Sequence, residues 1–303
     1  MLAGAIIQLS LIKPLPAMNL KRVFIITLFI AFVSCQNKKS GNALPPVNNK
    51  GVNIAYTDSS EGDTTLLFVH GWCINKSYWQ DQVKYFSKNY RVITIDLPGY
   101  GQSGKNRTEF DSKAYAGDVK AVVNQLKLSN VILIGHSMAG DIVLKAALEN
   151  QKVIGIIGID NFKSVGVAPA NPAQAKKEFA EAIALMKKNF KAVALKYFNE
   201  QLFYKTTSEA IKKRIINDVT HADTVIAVKN MEDDWPDEAV LLKQLNKKLY
   251  LLNSDYDPTN ESGLKAKHLP YDLTYIHATG HFPMIEKPDE FNKLLSGILK
   301  RFK

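Results

Sequence analysis

Ser137 stands in the string Gly135-His136-Ser137-Met138-Ala139-Gly140. Val131-Ile132-Leu133-Ile134 precedes it, and a stretch from Asp141 to Glu149 with apolar residues at helical spacing follows. A β-branched run, a small-x-Ser-x-small turn and a helical pattern with no spacer between them read as strand, sharp turn and helix. A turn that tight lifts the serine Oγ above the sheet and crowds its neighbours, so Gly135 and Ala139 must lack bulk. A serine hydroxyl is a poor nucleophile at neutral pH and needs a base to take its proton. Of the six histidines, His281 alone lies on a loop after the last strand-like run, beside Gly280 and Pro283. The chemistry that these residue types suggest is nucleophilic acyl transfer.

The elements that must position these groups follow in chain order. Thr65 to Val69 is a continuous apolar run, as in a central strand buried on both faces, and it delivers His70-Gly71-Trp72. Lys76 to Lys88 is predicted helical, and Arg91 to Asp96 is the next strand. A glycine-rich loop from Leu97 to Gly104 and a helix over Phe110 to Leu126 lead into the Ser137 strand. Val153 to Ile159 is another buried run, ending at Asp160-Asn161. From about Lys163 to Asn246 the pattern is helical, including Ala173 to Lys188, Ala192 to Phe203 and Glu209 to Asn217. Leu249 to Leu252 and Asp272 to Ile276 resume the strands, and Pro288 to Phe302 is the closing helix.

Four strings together resemble the α/β-hydrolase superfamily: the Ser137 turn, His70-Gly71-Trp72, Asp96 to Ser103, and Thr279 to Pro288. The Ser137 turn departs from the usual G-x-S-x-G only in having Ala139 at the last small position. The resemblance implies an α/β fold with a mostly parallel central sheet flanked by helices and an inserted helical cap. Residues 51–162 and 247–303 would form the core and residues 163–246 the cap. It implies Ser137 as nucleophile and His281 as base, with backbone N–H groups of Trp72 and Met138 as the oxyanion hole. The family usually places its acid in a small-x-x-Asp loop after the penultimate strand, which makes Asp257 the first choice. Asp255 is one alternative, and Asp160 is another because some members use an acid after the preceding strand.

Serine rather than aspartate at the turn separates the chain from the family's dehalogenases and epoxide hydrolases. The expectation is a serine hydrolase, carboxylesterase-like, acting on a small acyl substrate without metal or organic cofactor. Cofactor-free peroxidation, hydrolysis of a carbon–carbon bond, or ligand binding without turnover on the same scaffold are the other readings. Phe190, Tyr197, Phe198, Phe203, Tyr204, Met231 and Trp235 are aromatic or apolar candidates for a substrate pocket, each equally serviceable as packing. His70 reads as a brace of its own turn, Asp96 as a loop anchor and Cys73 as a small buried hydrophobe. His221 has no second ligand nearby and does not read as a metal site.

The 303 residues are 46% hydrophobic and 22% charged, an ordinary globular composition. The formal charge of +10 comes from lysines spread along the chain with no nucleic-acid motif, so it reads as a solvated basic surface. Met18 to Arg22 supplies a basic start, Val23 to Val33 an apolar stretch too short to span a bilayer comfortably, and Ser34-Cys35 a small residue before cysteine. Residues 1–35 therefore resemble a bacterial lipoprotein signal, with Met18 as the expected true start and Cys35 as the lipidation site. Residues 36–50 read as a flexible tether. A lipid anchor at Cys35 would place the enzyme body outside the cytoplasm, at the bacterial cell envelope, and would leave Cys73 without an intrachain disulfide partner.

Overall fold

A computed structural model describes residues 44–148, 150–232 and 237–302. The signal segment with Cys35, most of the tether and Trp235 lie outside the described residues. The described chain opens with a hairpin of β1 (Val47–Asn49) and β2 (Val52–Ile54), joined through Lys50 and Gly51. Both of these residues have positive φ, the geometry that a two-residue hairpin turn requires. Val47–Asn49 was assigned by sequence to the flexible tether; the strand is stabilised there by pairing, with Val47 and Ile54 buried opposite one another.

The main sheet contains β3 (Tyr56–Asp58), β4 (Thr65–Val69), β5 (Arg91–Ile95), β6 (Val131–His136), β7 (Val153–Ile159), β8 (Leu249–Ser254) and β9 (Tyr271–Ile276). Their spatial order is β3-β5-β4-β6-β7-β8-β9, antiparallel between β3 and β5 and parallel elsewhere. Strands β4, β6 and β8 are buried along their whole length, which is why their sequences are nearly continuous apolar runs. Strand β9 closes one edge and is mostly half-buried.

Helices cover both the connections and the long excursion after β7. A 3-10 turn (Lys76–Trp79) leads into α1 (Gln80–Phe86), and α2 (Ser112–Gln125) and α3 (Ala139–Ala147) flank β6. Asp111 caps α2 by accepting from the Ala114 N–H at 2.7 Å, and Tyr115, Val119, Val122 and Val123 make its buried stripe. Between β7 and β8 come α4 (Pro172–Tyr197), a π-helical turn (Phe198–Leu202), α5 (Glu209–His221), α6 (Thr224–Met231) and α7 (Glu238–Leu245). Helix α4 is broken at Asn189 (φ −152°, ψ 69°), whose side chain accepts from the Ala192 N–H at 3.3 Å and so caps the second arm. That break falls where the sequence pattern separates two helical stretches. Short α8 (Ser262–Ala266) and α9 (Pro283–Glu286) and the closing α10 (Pro288–Leu299) complete the chain.

The topology gathers the loops that leave β4, β6, β7, β8 and β9 at one edge of the sheet, the carboxyl ends of its parallel strands. This is where open α/β sheets bind ligands. The helical excursion meets that edge through specific polar contacts. The Trp72 indole N–H donates to the Ala227 carbonyl at 2.9 Å, the His281 N–H donates to the Leu202 carbonyl at 2.8 Å, and the Thr207 hydroxyl donates to Glu286 at 2.6 Å.

Candidate active site

Ser137 follows the last residue of β6 and precedes α3, and its φ of 54° is the left-handed conformation of a sharp turn. The surrounding glycines are required by space: a Cβ on Gly135 would lie 2.4 Å from the Ala139 carbonyl oxygen, and one on Gly71 would lie 2.7 Å from His136 Nδ1. The Ser137 N–H donates to the Ile159 carbonyl at 3.0 Å, so the turn is pinned to the neighbouring strand.

Ser137 Oγ lies 2.8 Å from His281 Nε2, and His281 Nδ1 lies 2.6 Å from Asp160 Oδ2. Because a carboxylate accepts only, Nδ1 carries the proton and Nε2 is free to accept from the serine hydroxyl. Asp160 is 2% exposed and has φ 47°, which turns its side chain back under the imidazole. Its other oxygen accepts from the Ser254 N–H at 2.9 Å and pairs with Lys163 Nζ at 2.7 Å. Burial alone would raise the Asp160 pKa; the His281 hydrogen bond and charge, together with Lys163, outweigh it and hold the carboxyl below its ordinary value.

The first-choice acid is therefore corrected. Asp257 is exposed on the loop after β8, and what it brings to the neighbourhood is its backbone carbonyl, which accepts from Lys163 Nζ at 2.6 Å. Asp255 points elsewhere, pairing with His277 Nδ1 at 2.7 Å on the surface. The β7 and β8 loops end at the same sheet edge, side by side, and the one that turns inward is decided by buried hydrogen bonds between them. Asn253 donates through Nδ2 to the Asn161 carbonyl at 2.9 Å, and Asn161 donates through its own Nδ2 to the carbonyl of Gly135 at 2.8 Å.

The His281 loop is equally determined. Glu286 Oε1 accepts from the N–H groups of Gly280 (3.0 Å) and Phe282 (3.3 Å), flanking the histidine on both sides. His136 Nε2 donates to the His281 carbonyl at 2.7 Å. Burial, and next the charge of His281, push the His136 pKa down to about 3, so this ring is a neutral brace. His70 is also a brace, with Nδ1 2.8 Å from the Gly71 carbonyl and Nε2 accepting from the Leu97 N–H at 3.0 Å. Asp96 anchors its loop through Lys76 and the Gln102 N–H. Lys163, Asn161, Asn253 and the role of Glu286 escaped the sequence reading. The only signal was a polar string, Asp160-Asn161-Phe162-Lys163, directly after a buried apolar strand.

A cavity of about 180 Å³ opens over Ser137 and His281, walled by Trp72, Tyr197, Phe198, Leu202, Met231 and Phe282. Among the sequence candidates, Tyr197, Phe198 and Met231 reach it, whereas Phe190 packs edge-on against the Trp72 indole and Phe203 against Phe282. The backbone of Met138 lies at the N-terminus of α3 and that of Trp72 in the turn after β4, both bordering this cavity. Neither N–H donates to a protein acceptor among the described residues. Larger grooves exist away from this edge, such as one of about 830 Å³ between β1 and α2, but they hold none of these groups.

A parallel sheet with this strand order, and a serine lifted from a strand-to-helix turn beneath a histidine, is matched by comparison with known proteins. Residues 64–205 match the family described as alpha/beta hydrolase fold. The chain has the α/β-hydrolase fold. It is 25% identical over 251 residues to the AB hydrolase superfamily protein YisY of Bacillus subtilis, covering 76% of this chain and 90% of that protein. It is 34% identical over 138 residues to the non-heme chloroperoxidase of Burkholderia pyrrocinia, covering 45% of this chain and 48% of that protein. An esterase structure from Exiguobacterium antarcticum superposes with a TM-score of 0.72 at 23% identity, covering 84% of this chain and 98% of that one. This last likeness is one of fold. The family match over residues 64–205 supports an enzyme of hydrolase type.

Proposed function

We propose that this α/β hydrolase is a serine hydrolase that cleaves small esters or related acyl substrates through an acyl-enzyme. The observation that carries the proposal is the continuous hydrogen-bonded chain from Ser137 Oγ through His281 to the buried Asp160, at 2.8 and 2.6 Å. Ser137 Oγ attacks the substrate carbonyl carbon while His281 Nε2 takes its proton, and Asp160 holds the imidazole in the tautomer that can do so. The oxyanion that forms accepts from the N–H groups of Trp72 and Met138. One such donor typically stabilises the transition state by about 3 kcal/mol. His281 then returns the proton to the departing alcohol, and water repeats the sequence on the acyl-serine, releasing the acid and restoring Ser137.

The cavity volume and its apolar walls suit an acyl group of a few carbons, since liquid water occupies roughly 30 Å³ per molecule. Residues 163–246 act as the cap that forms the roof of this cavity, with Tyr197, Phe198 and Met231 facing the substrate. The string from Met18 to Cys35 supports a lipid-anchored position at the bacterial cell envelope, where the acyl substrate would be met outside the cytoplasm.

A fluorophosphonate probe and p-nitrophenyl esters of two to eight carbons test the proposal on the full chain. Wild type labels and turns over the short esters, and both signals vanish in Ser137→Ala. The likeness to a non-heme chloroperoxidase favours one second reading, peroxidation on the same three residues. Formation of a peracid from acetate and hydrogen peroxide, without ester turnover, would select it.

A further inference from the structure

The polar chain does not end at Asp160. While Oδ2 faces His281, Oδ1 lies 2.7 Å from the Lys163 ammonium. The same ammonium donates to the backbone carbonyls of Asp257 at 2.6 Å and Ser254 at 3.0 Å, and it lies 5.6 Å from the centre of the Tyr256 ring. Only 18% of the Lys163 side chain is exposed. An ammonium has three N–H donors, and these acceptors engage all three, so none remains for a substrate. Lys163 is thus a built part of the site, three residues beyond the acid it faces.

We propose that Lys163 is a positioning residue: its charge neutralises the buried Asp160 carboxylate and thereby sets how readily His281 takes the proton from Ser137. The proposal rests on the serine-hydrolase reading above. A buried carboxylate with no counter-charge favours the imidazolium over the neutral ring beside it, and the neutral ring is the form that can accept the serine proton. A lysine on the far oxygen offsets that attraction. It leaves Asp160 able to orient the ring without its full charge acting on the imidazole.

The other groups around His281 do not supply this charge. His136, 4.8 Å away ring to ring, is neutral because burial and the His281 charge press its pKa down to about 3. Tyr197 and Tyr256 have pKa values raised, by burial first and then by neighbouring carboxylates, and remain uncharged phenols. Ser137 is uncharged, and the Glu286 carboxylate is taken up by two backbone N–H groups and Thr207. Asp257 is exposed to water. All of these are present alike in a Lys163 variant, so a difference between the two proteins reports the lysine charge.

The test is an NMR titration of the His281 imidazole in the full chain labelled with ¹³C-histidine, assigned by the signal lost in His281→Gln. Lys163→Met is expected to raise the His281 midpoint by roughly one pH unit, and the acid limb of kcat/KM with it, whereas Lys163→Arg stays within about 0.3 units of wild type. Should Lys163→Met not fold, Lys163→Gln carries the same comparison. If the uncharged variant titrates with wild type, the proposal is overturned even where activity or Tm falls, and Lys163 is a loop staple only. A wild type in which His281 shifts as expected with Lys163, yet which neither labels nor turns over esters, rejects the hydrolase reading instead.

Discussion

Two histidines four residues apart along the chain each meet an aspartate at nearly the same distance. His281 meets Asp160 at 2.6 Å, and His277 meets Asp255 at 2.7 Å. Their surroundings are opposite. The side chains of the first pair are 14% and 0% exposed, those of the second 69% and 37%. In the buried pair, water cannot compete, both carboxylate oxygens are occupied by protein donors, and the imidazole is directed at a serine hydroxyl. In the surface pair, solvent screens the attraction. A short histidine–carboxylate distance therefore does not define a site; exclusion of water and a committed second partner do.

The comparison breaks most sharply on replacement of the acids. Asp160→Asn removes the carboxylate that selects the His281 tautomer, and kcat/KM for a short ester is expected to fall by about 10³–10⁴-fold. Asp255→Asn and Asp257→Asn should each stay within roughly threefold, because neither side chain belongs to the chain of bonds from Ser137. Equal losses for Asp160 and Asp257 variants would mean that the β8 loop reaches the site during turnover.

The next largest effect concerns pH and the buried ring beside His281. Unfolded His136 takes up a proton near its ordinary pKa of about 6.5, but the folded ring does so only near 3. Between those values the unfolded chain binds more protons, so this residue lowers folding stability as pH falls. By pH 4.5 its contribution reaches about 2–3 kcal/mol relative to pH 7. His136→Gln retains an N–H donor for the His281 carbonyl and does not titrate. Urea unfolding should show the stability of wild type relative to this variant declining by that amount on acidification. A constant difference between pH 7 and 4.5 would show that His136 is not held neutral.

Asn253 is the hinge of the comparison because it joins the two acid-bearing loops. It is fully buried and contacts the Asn161 N–H and carbonyl as well as the Thr259 hydroxyl. Asn253→Ala strands those groups and is expected to cost about 1–2 kcal/mol of stability in urea unfolding. The smallest effect is reserved for the surface pair itself. Asp255→Ala should change stability by no more than about 0.5 kcal/mol at moderate salt.

Much of the fold was legible in the sequence because its signals are local. Continuous apolar runs mark β4, β6, β7 and β8, since strands covered on both faces have no solvent side to alternate with. The helical excursion was visible as a change of period from Lys163 onward, including the break near Asn189. The short strand β1 was not, because Val47-Asn48-Asn49 has no pattern of its own and becomes a strand only by pairing with β2. The arms that reach the cavity, Tyr197, Phe198 and Met231, could not be separated from packing aromatics such as Phe190. Helical period tells which residues share a face, not what that face meets.

By itself, the sequence determined the turn around Ser137 and the loop around His281. Small residues in a strand-to-helix turn, and glycine and proline beside a histidine, are constraints that act within a few residues. Tertiary structure alone decided which aspartate joins them. Asp160, Asp255 and Asp257 all follow strands that end at the same sheet edge about 5 Å apart, so chain connectivity gives each a comparable reach. The left-handed turn at Asp160, the asparagine bridge and the Lys163 ammonium settle the choice. The asparagine bridge and the Lys163 contact with the Asp257 carbonyl act between residues 92 and 94 positions apart in the chain, where no local pattern carries the information.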